Sequence, residues 1–151
     1  MIRSRMLIRK TGDTKMSERA EAAVAKHRQG YNCCQAVACV FADEVGMDES
    51  LLYKLGEGFG GGMGTAQGVC GALSGAAMLA GLVHSDGNTE AAGQTKAKTT
   101  RCSGMMQKKF VERAKALICR DIKTGNGGKA FTSCDDCIRI AVEIAEEDLG
   151  L

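Results

Sequence analysis

The chain has 151 residues, 44% of them hydrophobic, and its 20 lysine and arginine residues against 18 aspartate and glutamate residues give a formal net charge of +2. That length suits one domain removing roughly two thirds of its surface from water, and so balanced a charge lacks the concentrated basic stripe of a nucleic-acid binder, so no nucleic-acid partner is expected. Eight cysteines would suit a small secreted disulfide scaffold, but the first sixteen residues are basic and hold only the short apolar stretch Met6-Leu7-Ile8, too brief for a secretory core or a membrane span.

Residues 1–16 are therefore expected to form a flexible basic leader, with Met16 as a candidate start, ahead of a single helical domain over residues 17–151. The chain is expected to be cytoplasmic and not membrane-embedded, with its thiols reduced and given to catalysis or metal rather than to structural bridges. Proline is absent, which favours long uninterrupted helices, and the 20 glycines supply the punctuation instead.

Ser17 caps a first helix that continues through Val24 to a stop at Gly30. Asn32 with Gln35 forms a capping box for a second helix that begins at Cys33 and runs to Val45, ending at Gly46. Asp48 caps a shorter helix over Glu49 to Leu55. The glycine-crowded segment from Gly56 to Gly64 reads as a loop, feeding a helix from about Gln67 to Leu82 with Cys70 near its start. Glycine in mid-helix costs about 0.8–1 kcal/mol, so Gly71 and Gly75, four apart, signal close helix-to-helix approach, within one subunit or between the two of a homodimer. Thr89 to about Arg113 is the longest predicted helix. Cys119 falls either in its close or in a separate short turn. After the loop Thr124 to Gly128, Ser133 caps a last helix carrying Ile138, Val142 and Ile144 on its apolar side. No segment alternates with period two, so the expected fold is all-α, a compact bundle of six or seven helices with a Gly-rich loop and little or no sheet.

The chemistry resides in sulfur. A thiol at a helix start meets unpaired N–H groups and the positive end of the macrodipole, both of which favour the thiolate. Cys134 and Cys137 form a C-x-x-C pair on the first turn of the last helix, which puts both sulfurs on one face. Asp135 and Asp136 oppose their ionisation, so modest activation is expected. Cys33 and Cys34 point about 100° apart on a helix, so one can face a site while the other packs. Cys39 and Cys102 read as core filler.

Around Cys70 the run Cys70-Gly71-Ala72-Leu73-Ser74-Gly75 resembles the CGAxxG signature of the C_GCAxxG_C_C family, named for redox activity. Gly30-Tyr31-Asn32-Cys33 is similar to that family's early element, Phe59 to Gly64 to its glycine-rich lead-in, and Cys119-Arg120 and the stretch after Cys134 to its later ones. The resemblance extends over about residues 17 to 147. It implies that the family's four cysteines are Cys33, Cys70, Cys119 and one of the terminal pair, with Cys134 favoured by the Ile138-Arg139-Ile140-Ala141 stretch behind it. Cys34 and Cys137 depart from the pattern. The family's tendency to be encoded beside transporter genes implies association with a transporter as a further reading.

Two chemistries fit such a cluster. In the first, Cys33, Cys70, Cys119, Cys134 and Cys137 are catalytic thiols for thiol–disulfide exchange or electron handling, with Cys134 or Cys33 attacking, no cofactor required, and a redox partner protein or small thiol as the counterpart. In the second, Cys33, Cys70, Cys119 and Cys134 bind zinc or an iron–sulfur cluster. Their wide spacing leans toward thiol–disulfide chemistry. Gly60, Gly61 and Gly62 are candidate cofactor-binding residues through exposed N–H groups for a small anion or a thiol cofactor such as glutathione, although no nucleotide fingerprint accompanies them. His27 and His84 read as solvated bystanders, Tyr31 and Phe59 as walls of the site, and Met105 and Met106 as core.

Overall fold

The computed structural model describes residues 17–151, and the leader expected over 1–16, with the candidate start at Met16, lies outside the described residues. Seven α-helices follow in order: α1 (Glu18–Arg28), α2 (Cys33–Cys39), α3 (Glu49–Gly56), α4 (Gly71–His84), α5 (Lys96–Ala114), α6 (Cys119–Thr124) and α7 (Cys134–Leu149). Pairing between extended segments is confined, among the described residues, to two isolated antiparallel bridges, Val69 with Ile118 and Asn126 with Lys129. The fold is all-α, as expected.

Short polar side chains set three helix starts. Ser17 Oγ accepts from the Ala20 N–H at 3.2 Å, and Ser133 Oγ accepts from the Asp136 N–H at 3.1 Å. At α2 the capping box is complete: Asn32 Oδ1 accepts from the Gln35 N–H at 2.9 Å, and Gln35 Oε1 accepts from the Asn32 N–H at 2.8 Å. The Asn32 amide also donates to the Gly56 and Glu57 carbonyls, and the buried Gln35 amide to the Tyr53 carbonyl, so the start of α2 is pinned to the end of α3. Asn32→Ala should therefore lower unfolding stability by about 1–2 kcal/mol, the usual cost of a lost cap, read as a shift in the urea midpoint. Asp48 precedes α3 but makes no side-chain capping bond.

The helix ends differ more from expectation. α2 stops at Cys39 rather than near Val45, because the Phe41 and Ala42 N–H groups turn back to the Ala38 and Cys39 carbonyls. α5 begins at Lys96 rather than Thr89. Asn88 Oδ1 accepts from the Glu90 and Ala91 N–H groups and closes a single 3-10 turn, and Gly93 at φ +91° breaks the path onward. α5 ends at Lys115, which turns left-handed at φ 76°, so Cys119 opens a helix of its own.

α4 lies against α2, α5 and α7, and α7 also packs on α1 and α2. Leu79, Met106, Phe110, Ile138 and Ile144 are fully buried in this core, whereas Met105, expected beside Met106, is exposed. A Cβ on Gly75 would stand 2.7 Å from the Cys34 carbonyl oxygen. The small-residue face of α4 thus joins two helices of the same chain. Cys39 sits with Ala42 and Leu52 in a smaller apolar cluster, and Cys102 packs at the margin of the main core, both as filler.

Candidate functional site

Four cysteines from distant segments occupy helix starts. Cys33, Cys119 and Cys134 are the first residues of α2, α6 and α7, and Cys70 is the N-cap of α4. The Val69–Ile118 bridge carries two of these starts side by side, with the Cys70 N–H donating to the Leu117 carbonyl and the Cys119 N–H to the Gly68 carbonyl, both at 3.0 Å. With Cys137, one turn into α7, they line a single cavity of about 160 Å³. Cys34 is turned away, its sulfur 3.6 Å from Met78 Sδ. Thiols from four separate segments of the chain thus share one cavity.

Glycines make it possible. A Cβ on Gly71 would stand 2.4 Å from Cys33 Sγ, and one on Gly62 would stand 2.7 Å from Cys119 Cβ. A Cβ on Gly60 would stand 2.6 Å from the Asn32 side chain. Of the three candidate cofactor-binding glycines only Gly61 lines the cavity, and its N–H is directed at the Cys33 sulfur. Gly60 and Gly62 serve instead as points of close packing beside the thiols.

All eight cysteines are free thiols, and their surroundings split them. Cys70 receives hydrogen bonds from the Cys137 thiol and, at the first turn of α4, from the Ala72 and Leu73 N–H groups, which hold it below the ordinary thiol range despite its burial. Cys137, as the donor to Cys70 and itself buried, is pushed up. Burial also raises Cys33, against the Gly61 and Cys34 N–H groups, and raises Cys119 and Cys134, against Lys123. Of the cavity thiols Cys70 is thus the one drawn below the ordinary range while Cys33 and Cys134 are raised, and the side chain acting on it most, Cys137, stands on another helix.

Asp135 raises Cys134 as expected, the least of the causes acting on that thiol. Asp135 pairs with His27 Nδ1 at 3.0 Å and Arg28 at 3.1 Å, and Asp136 pairs with Arg139 at 2.8 Å. His27, read as a solvated bystander, lines the cavity. So does Lys123, which the sequence reading passed over. Its charge draws Cys119 down against burial, and its four-residue offset from Cys119 on one helix face was the available signal. Tyr31 and Phe59 do not wall the site: Tyr31 donates to Glu49 at 2.9 Å and meets Tyr53 edge-on, and Phe59 is exposed.

A family model described as "Putative redox-active protein (C_GCAxxG_C_C)" matches residues 31–148. The chain belongs to this family. The match starts at Tyr31 rather than at residue 17, so it holds all five cavity thiols and Lys123 but leaves out α1 with His27. Neither the curated proteins nor the solved structures gave a match. Among the described residues no group of three or more histidine, cysteine, aspartate or glutamate side chains is arranged to hold a metal ion, so the four family cysteines do not form a ready zinc or cluster cage. No helix of the described residues is long and apolar enough to cross a membrane.

Proposed function

We propose that this protein performs thiol–disulfide exchange, with Cys70 as the attacking thiolate and Cys137 as the resolving thiol. The observation that supports this reading most is that the two cysteines, buried on different helices, line one cavity and are shifted in opposite directions by each other. The Cys70 thiolate attacks one sulfur of a substrate disulfide, forming a Cys70 mixed disulfide and expelling the first substrate thiolate, which takes a proton from solvent. Cys137 then loses its proton and attacks Cys70 Sγ, forming the Cys70–Cys137 disulfide and expelling the second thiolate. The dithiol is oxidised by two electrons and the substrate disulfide is reduced to two thiols. A redox partner protein or a small thiol restores the dithiol in a reducing cytoplasm.

Bis(hydroxyethyl) disulfide tests the sequence of steps. Cys137→Ser should trap the half-substrate on Cys70, visible by peptide mass, while the wild-type chain releases both halves and loses two thiols per turnover. If Cys70→Ser consumes the disulfide as fast as the wild type, the reading is wrong.

A further inference from the structure

The exchange reading leaves the substrate unnamed and gives Lys123 no part. Lys123 stands four residues after Cys119 on α6: the cysteine is buried, the lysine is exposed, and both line the same cavity. The cation therefore stands at the mouth of a cavity whose interior is sulfur. No carboxylate belongs to its lining among the described residues. The two acidic side chains next to thiols in sequence are held elsewhere, Asp135 by His27 and Arg28 and Asp136 by Arg139. The groups acting on the Lys123 ammonium are the sulfurs of the exposed Cys134, the buried Cys119 and the half-buried Cys33, and partial desolvation shifts all three toward the neutral thiol. At a volume of about 160 Å³ the cavity takes the sulfur end of a small molecule and leaves its other end at the mouth.

We infer that the substrate is a small anionic disulfide, its sulfurs inside the cavity and its carboxylate or other anionic group paired with Lys123 at the rim. This rests on the thiol–disulfide reading above. Lys123 is then a specificity-determining residue: it selects charge, whereas Cys70 and Cys137 exchange the sulfur.

Three disulfides of similar length and different charge test this: dithiodipropionate as the dianion, bis(hydroxyethyl) disulfide as the neutral compound and cystamine as the dication. The quantity to compare is the ratio of kcat/KM for dithiodipropionate to that for cystamine, since comparing this ratio between variants cancels the intrinsic reactivity of each compound. Lys123→Gln should lower the ratio about five- to tenfold, the scale of one partly screened ion pair. Lys123→Glu should lower it further, and Lys123→Arg should keep it. If Lys123 acts only by tuning a thiol, all three compounds slow equally and the ratio stays put, which overturns the inference while leaving the exchange reading intact. If the wild-type chain reduces none of the three, the exchange reading falls and takes this inference with it.

Discussion

At neutral pH, iodoacetamide should modify Cys70 ahead of the other seven thiols and leave Cys34 untouched until the chain unfolds. The thiolate is the nucleophile, and only Cys70 has hydrogen bonds enough to keep that form below the ordinary range. Cys34 is pushed up to about 12 by burial, so at pH 8 about one molecule in ten thousand carries it as thiolate. Because the Cys70 shift is downward, its labelling rate should rise and level off at lower pH than that of an unstructured cysteine. Removing the donor in Cys137→Ala should move the Cys70 profile toward higher pH, since a hydrogen bond to the charged form is lost. Cys137→Ser keeps a hydroxyl donor and should hold most of the shift. The check is peptide-resolved labelling across pH 5 to 10. A Cys70 profile unmoved by Cys137→Ala would remove the hydrogen bond from the account.

The second large effect belongs to Gly71. Alanine there would bring a methyl group to 2.4 Å from Cys33 Sγ and 2.9 Å from the Phe59 carbonyl oxygen. The backbone oxygen has little room to retreat, and overpacking of this kind costs about 1–3 kcal/mol or more. The gain in helix propensity, about 1 kcal/mol, offsets only part of that. Gly71→Ala should destabilise the chain and, by displacing Cys33, change the thiol spacing in the cavity. Gly81, on the same helix, has open space for 4 Å around the point a Cβ would occupy, so Gly81→Ala should stabilise by about 0.5–1 kcal/mol. Urea midpoints of the two variants should move in opposite directions. Equal shifts of the same sign would mean that α4 does not approach α2 as closely as described.

What the sequence disclosed was mostly local. Ser17, Asn32 and Ser133 announce their helices because each makes its capping bond within three residues, a distance at which sequence and geometry nearly coincide. Stops were harder. Lys115 ends α5 in a left-handed conformation that glycine ordinarily signals, and α2 unwinds into tight turns with no breaker until Gly46. Cys33 and Cys134 were legible at helix starts for the same local reason as the caps, and Cys70 near one, whereas Cys119 was left between two placements; the glycine spacing in α4 carried the close approach.

The partners of those thiols were not legible. Desolvation of Cys33 and Cys134, the Cys70–Cys137 hydrogen bond, and the capture of Asp135 by His27 and Arg28 all arise between segments far apart in the chain. Spacing within the C-x-x-C turn pointed to Cys134 with Cys137, but tertiary packing joins Cys137 to Cys70 across two helices. Lys123 was within reach of a local rule, as a cation one helical turn from a cysteine, and was passed over because that turn was not separated from α5.

The most direct test of the shared cavity is disulfide mapping by peptide mass spectrometry after graded oxidation of the folded chain. The first linked peptides should join Cys70 to Cys137, and any later links should fall among Cys33, Cys119 and Cys134, with Cys34, Cys39 and Cys102 recovered as free thiols. Links to those three in comparable yield, or Cys70 and Cys137 remaining unlinked while other pairs form, would contradict it.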